Sequence, residues 1–328
     1  MSHPVKRVCA NTGHRYRLNR TRALSQLSSS AHPPRRGVTS PHGRFGYVLF
    51  APFLVVFAIA IAAPLLYAVY LSLFQERLIG GTVFVGFENY TRAFGDTLFR
   101  VGLARVALFL AVQVPIMLGL ALLAALIIDS GRLRWAGLFR IGIFIPYAVP
   151  AVVAALMWGY LYGPNFGLVH QVGDALDVAM PNLLSKSWML ASIGNINTWE
   201  YVGYNMLILY AALRSVPEEL YEAAEMDGAG AVRQAWSIKI PALRQALLLT
   251  VIFSIIGSFQ LFNEPNILQS LAPDVITTSY TPNMYAYNLA FNGQQFNYSA
   301  AIAVLLGVVT AVVAYAVQLS TSRKERVL

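Results

Sequence analysis

An all-α, polytopic membrane protein with six membrane-crossing helices is what this sequence predicts. Three observations carry the prediction. The 328 residues are 57% hydrophobic and only 12% charged, about half the charged share of a soluble domain. Six apolar stretches each approach or exceed the ~20 residues that a bilayer-spanning helix needs. Between those stretches the basic residues alternate, rich on one side and poor on the other.

The stretches run over about 47–74, 106–128, 141–162, 188–213, 246–268 and 299–320. The first has no charge between Arg44 and Glu76, and the second is uncharged throughout. Pro146 and Pro150 interrupt the third, where each removes a backbone donor and predicts a kink. Glu200 is the single charge of the fourth, and Glu264 lies near the far end of the fifth. Leu, Ile, Val, Ala and Phe fill all six in long runs without strand-like alternation, which predicts helices. Arg105 lies near an end of the second, within snorkelling reach of the interface.

Six spans put both termini on one side. Nine of the 24 Lys and Arg residues fall in residues 1–44, which hold no acid, leaving fifteen basic against fifteen acidic residues in the rest. Arg132, Arg134 and Arg140 follow the second stretch, and Arg214, Arg233, Lys239 and Arg244 follow the fourth. Arg323, Lys324 and Arg326 end the chain. The opposite loops have Arg77, Arg92 and Arg100, then Lys186, then none. Both termini and the 215–243 loop are therefore expected in the cytoplasm. Residues 1–44 lack apolar periodicity and predict a disordered cytoplasmic tail. An organellar transit peptide is a weaker reading of that Arg- and Ser-rich composition, and a nucleic-acid-binding arm does not suit a membrane protein. The expected organisation is tail 1–44, transmembrane domain 45–322 and C-terminal tail 323–328. Gly80-Gly81 and residues 272–297 are expected to be mobile sequence at the outer face.

Within residues 215–243 the sequence predicts two short helices. Ser215 and Glu218 have the spacing of a capping box, and Pro217 suits a first helical turn. Leu220, Ala223 and Ala224 share one face, and Gly228 and Gly230 mark a left-handed end. A second helix is expected over about 231–239, with Val232, Ala235, Trp236 and Ile238 offering apolar contact before Pro241.

Glu222-Ala223-Ala224, then Asp227-Gly228, then Ile238 and Pro241 have the spacing of the EAA loop. The chain thereby resembles the permeases of binding-protein-dependent ABC importers. Val85-Gly86-Phe87-Glu88-Asn89-Tyr90, Ile145-Pro146 through Pro150, and Ser258 to Pro265 resemble the carbohydrate uptake class, of maltose, lactose and cellobiose type, and in it the first of two permeases. That resemblance covers most of residues 45–320 and implies a type I ABC importer permease fold. One departure is Ile240, where the family prefers Leu before the proline, a volume-conserving exchange. The resemblance implies that Glu222, Ala223, Ala224, Asp227, Gly228, Ile238 and Pro241 form the socket for an ATPase. It also implies a second homologous permease, two ATPase subunits carrying ATP and Mg, and an extracytoplasmic sugar-binding protein. The setting is lipid of a prokaryotic cytoplasmic membrane, with no nucleic acid as partner and no cofactor bound by this chain.

A neutral sugar needs hydrogen-bonding groups and an aromatic face. Trp199, Glu200, Tyr204 and Asn205 in the fourth stretch and Gln260, Asn263 and Glu264 in the fifth are the candidates for its path. Polar groups at membrane depth are costly and usually face a cavity or a partner helix. Interhelical bonding is an equal reading of Glu200, and packing the commoner reading of Trp199. No Gly-rich phosphate loop, metal-ligand cluster or nucleophile–base arrangement is present in the sequence, which argues against an enzyme, and the lone Cys9 excludes an internal disulfide. A permease for a non-sugar solute and an ion-coupled secondary transporter are the alternatives, the latter poorly served by only two intramembrane acids and no evident repeat.

Overall fold

The computed structural model describes residues 43–77, 79–131, 133–164 and 167–325. The expected tail lies outside the described residues up to position 42, as do Arg132 and positions 326–328. Internal contacts divide the chain into a first unit ending at Ile59 and a second from Ala60 onward. The described part of the first unit is mainly α1, Gly43–Phe57. Phe50, Phe53 and Phe57 form a ladder of rings along it.

A π-helical turn at Ala58–Ala62 contains the division point, and the second unit continues into α2, Ala63–Ser72. A hairpin of β1, Phe74–Arg77, and β2, Gly81–Phe84, follows. Phe74 pairs with Phe84 and Arg77 with Gly81, and the turn uses positive φ at Gly80 and Gly81. Asn89, in α3 (Glu88–Gly95), is buried and donates to the carbonyls of Ser72 and Phe74, which fixes the hairpin to the end of α2. The long helix α4 spans Thr97–Asp129. Next come α5, Ala136–Phe144, a 3-10 turn at Ile145–Ala148, and α6, Ala151–Leu161. The helices α7, Leu168–Ala175, and α8, Met189–Leu213, follow. The connection beyond α8 holds α9, Glu218–Met226, α10, Ala231–Gln234, a π-turn at Ala235–Lys239, and α11, Ile240–Ala242. Last are α12, Arg244–Phe259, α13, Asn263–Leu268, α14, Pro282–Phe291, and α15, Phe296–Glu325.

Among the described residues, four helical runs are long and apolar enough to cross a bilayer: Tyr47–Ser72, Thr97–Asp129, Arg244–Leu268 and Phe296–Thr321. A fifth crossing results if the pair Ala136–Ala148 and Ala151–Leu161, bent by 98°, is one span. The expected kink is thus a sharp break, made where Pro146 and Pro150 each lack the amide proton that would continue the helix. The sixth expected span is α8. It has 25 residues, enough in length, but its polar stripe lowers its hydropathy below that of the other four. Ser192, Glu200 and Asn205 of that helix are buried and Asn197, Tyr201 and Tyr204 half-buried, with α8 running along α4.

Small residues make that contact close. Gly194 of α8 sits where a Cβ would lie 3.5 Å from Gln113 of α4. Ala121, Ala125 and Ile128 of α4 pack with Met206, Leu209 and Leu213 of α8 and with Leu243. Farther along, Met189, Ile193 and Ile196 of α8 join Leu261, Leu268 and Ile276. Large apolar side chains such as Leu108, Leu120 and Val312 remain exposed on the spanning helices, as a lipid-facing surface requires.

Two local expectations are corrected, and Arg105 gains a partner. Residues 272–297 are not irregular throughout: Thr281 caps α14, accepting from the Met284 amide and donating to the Leu261 carbonyl. The Thr281-Pro282 pair, a cap followed by proline at the first helical position, is the signal for that helix. Arg105 has a partner within the chain: its guanidinium lies 4.0 Å over the Tyr280 ring and donates to the Tyr280 carbonyl. Ser215 forms no capping box, since its hydroxyl turns back to the Ala212 carbonyl and α9 begins after Pro217.

Candidate functional site

Two regions hold the residues singled out by sequence. The first is the elbow between α8 and α12. Pro217 stands just before α9, where a missing amide proton costs nothing. The helix ends in a Schellman motif: Gly228 has φ +73°, its amide donates to the Glu225 carbonyl, and the Ala229 amide donates to the Ala224 carbonyl. A Cβ at Gly228 would meet nothing within 4 Å, so the demand for glycine is conformational rather than spatial. Gly230, expected to share the left-handed end, instead precedes α10 in extended geometry. Glu222, Ala223, Asp227 and Gly228 are exposed, while Ala224, Ile238 and Pro241 are half-buried. Beside them Met226 is 88% exposed and Trp236 70% exposed, large apolar groups with no cover in this chain.

A cleft of about 1130 Å³ lies between this elbow and the ends of α4 and α8. Asp129, the last residue of α4, makes an ion pair with Lys239, both largely buried. The Lys239 ammonium stands 5.0 Å over the ring of Tyr221 in α9. Burial, with the nearby Asp129 charge, pushes the Tyr221 phenol above its ordinary pKa, against an opposing effect of Arg214. Sequence reasoning missed Asp129 and Tyr221. Their signal was weak: an acid at a helix C-terminus, where the backbone dipole disfavours it.

The second region is a polar track on α8, buried at Glu200 and half-buried on either side of it. Asn197, Glu200, Tyr201 and Tyr204 recur at helical spacing and share one stripe. Glu200 and Glu264 are 3% and 5% exposed, and their side chains meet. Asn197 bonds to Glu264 and accepts at 2.8 Å from Gln113 of α4. Gln113 was also missed, although a lone amide in the uncharged 106–128 stretch marks it. One oxygen each of Glu200, Gln113 and Asn205 is buried without a partner. Such groups are costly unless something satisfies them.

The remaining candidates are spread out. Trp199 packs edge-on against Trp158, with ring centroids 5.8 Å apart. Tyr204 stacks at 4.8 Å on Tyr147, in the break between α5 and α6. Asn205 donates to the Tyr201 carbonyl. Gln260 and Asn263 are exposed at the interruption between α12 and α13. The structure therefore joins Glu200 to Glu264 and gives Trp199, Tyr204 and Asn205 other neighbours. No group of three or more potential metal ligands occurs among the described residues.

Residues 117–326 match the family described as binding-protein-dependent transport system inner membrane component. The chain is 32% identical to the diacetylchitobiose uptake system permease protein NgcF of Streptomyces coelicolor, over 90% of this chain and 87% of that protein. It is 30% identical to the lactose transport system permease protein LacF of Rhizobium radiobacter, over 82% of this chain and 91% of that one. A probable ABC transporter permease of Bacillus subtilis, YurN, is 29% identical over 80% and 91% of the two chains. In fold, the chain is similar to a bacterial ABC transporter involved in the import of alginate, with a TM-score of 0.75 and 18% identity over 85% of this chain and 96% of that one. A family match over more than half the chain, on a mainly helical fold with several apolar crossings, establishes that this protein belongs to the binding-protein-dependent transport system inner membrane components.

Proposed function

We propose that the chain is the non-catalytic permease subunit of an ATP-driven importer for a di- or oligosaccharide. The observation that carries this reading is the exposed elbow, whose Glu222, Ala223, Asp227 and Gly228 stand on a helix–turn–helix closed by a left-handed glycine. A rigid, projecting turn with uncovered apolar neighbours suits a joint gripped by a second protein. In this reading Glu222, Ala223, Ala224, Asp227, Gly228, Ile238 and Pro241 seat an ATPase subunit. Two such subunits bind ATP and Mg, and their closure moves the elbow. A second homologous permease completes the pathway, and an extracytoplasmic binding protein delivers the cargo. Both termini and the elbow lie in the cytoplasm.

The sugar assignment is supported by relatives named for diacetylchitobiose and lactose transport. It is supported also by a track of carboxyl, amide and indole groups without a basic residue at its centre. Glu200 and Glu264 accept hydrogen bonds from cargo hydroxyls as they pass, with Trp199, Tyr204, Asn205, Gln260 and Asn263 along the route. Co-expression with its candidate partners tests the energy source: an ATPase should co-purify with the chain, and a preparation without one tells against the reading. Labelled di- and oligosaccharides offered to the partner binding protein, then to the reconstituted transporter, test the cargo.

A further inference from the structure

We infer that Asp129, Lys239 and Tyr221 form a strut that carries movement of the elbow directly into α4, and through α4 into the helix pair holding the polar track. The inference rests on the coupling role proposed for the elbow, and adds the route by which its motion reaches the membrane domain.

Three elements meet at one cation. Lys239 is the last residue of the π-turn Ala235–Lys239, Asp129 ends α4, and Tyr221 belongs to α9. The Lys239 ammonium pairs with an Asp129 oxygen at 2.5 Å, and the two side chains are 13% and 6% exposed. Tyr221 offers its ring face to the same ammonium, while its buried hydroxyl has no partner. An acid at the C-terminus of a helix opposes the dipole, so the Asp129 carboxylate needs a cation in place. A buried pair gains little net stability because desolvation offsets attraction, but it fixes geometry, since separating the partners strands a charge. Next along the chain, Leu243 is fully buried against Ala121, Ala125 and Ile128 of α4 and Leu209 of α8. The elbow is thus fastened to α4 by an ionic and an apolar contact a few residues apart. From there α4 lies along α8, where Gln113 reaches Asn197 beside Glu200 and Glu264. A chain that used only covalent continuity would pass motion from the elbow into α12. The strut supplies a second path into the helices that line the track.

The test uses the whole transporter, permeases and ATPases together, in proteoliposomes with its binding protein. Lys239→Gln and Asp129→Asn should each leave the ATPase bound and lower transport per ATP hydrolysed on the order of ten-fold, within the usual range of coupling energies. The exchanged pair D129K/K239D should recover to within about three-fold of the parent, by the same measure. Parent-like transport per ATP in Lys239→Gln overturns the strut. So does an exchanged pair that stays as low as the single variants or fails to assemble. If the single variants do not assemble, an exchanged pair that assembles and transports still supports the strut. Gly228→Asp separates this inference from the reading beneath it. Normal transport by Gly228→Asp removes the coupling role itself, whereas loss there with none in Lys239→Gln removes only the strut.

Discussion

At Gly203 the backbone leaves no room for a side chain: a Cβ there would lie 2.0 Å from the Ile143 carbonyl oxygen. This is where α8 meets the break between α5 and α6, and the contact is backbone against helix rather than side chain against side chain. Gly203→Ala must therefore push the break off α8. A loss of about 1–3 kcal/mol is expected from overpacking of this kind, read as a lower unfolding midpoint in detergent, and an unchanged midpoint would show that the two elements are not so close. Glu200 poses the opposite problem, a buried oxygen with nothing to bond. If the cargo satisfies it, Glu200→Gln keeps shape but puts an amide in place of one carboxyl oxygen, so assembly with the ATPase should survive while uptake falls by about ten-fold, the order of one lost hydrogen bond. Uptake equal to the parent would assign Glu200 to interhelical packing. The sequence made Glu200 conspicuous, as one charge in an apolar run. It could not disclose Gly203, because steric need at a glycine depends on what lies across from it, here a residue sixty positions earlier.

Elements show the same division between local and distant causes. The elbow was legible as two short helices with glycine between, since caps and turns are written in neighbouring residues. Two details failed: Ser215 found a nearer acceptor in the last turn of α8, and Gly230 is extended rather than left-handed. Gly228→Asp tests the elbow. Asp tolerates the left-handed region better than most residues, and open space surrounds the site, so the membrane domain should fold and bind lipid normally while uptake is lost. Normal uptake would count against the coupling role. A second element-scale device escaped the sequence. Asp96 caps α4 through the Leu98 amide and accepts from Tyr285 of α14 at 2.6 Å and Tyr298 of α15 at 2.8 Å. Arg92 lies over the Tyr298 ring at 3.9 Å. Burial alone would raise the Asp96 pKa, but these hydrogen bonds outweigh it and hold it below its ordinary value of 3.8. A carboxyl whose pKa is lowered by folding contributes stability above its unfolded pKa and loses it as pH falls through the folded one. Asp96→Ala should thus cost about 1–3 kcal/mol at neutral pH, and the gap between variant and parent midpoints should narrow below about pH 4. A gap that stays constant with pH would mean that the ionised carboxylate is not what joins these three helices.

On the scale of the whole molecule, the arrangement in the bilayer decides what every smaller feature means. Apolar length identified four crossings and the bent fifth, but α8 illustrates why hydropathy undercounts. A helix enclosed by its neighbours is free to be polar, and its stripe from Asn197 to Tyr204 is the property that makes it a candidate for a transport path. Counting α8 gives an even number of crossings, and the distribution of basic residues then favours the proposed placement of the elbow and both ends in the cytoplasm. With five crossings, the ends would lie on opposite sides and the elbow's side would no longer follow from them. Single reporter cysteines decide between the two. In a Cys9→Ser background, Met226→Cys, 88% exposed in the elbow, and Leu271→Cys, 47% exposed beyond α13, make a suitable pair. In intact cells an impermeant maleimide should label position 271 and leave position 226 unmodified until the membrane is opened. Labelling of position 226 from outside would put the elbow beyond the reach of any cytoplasmic ATPase. With it would go the energy source proposed here and the strut that depends on it.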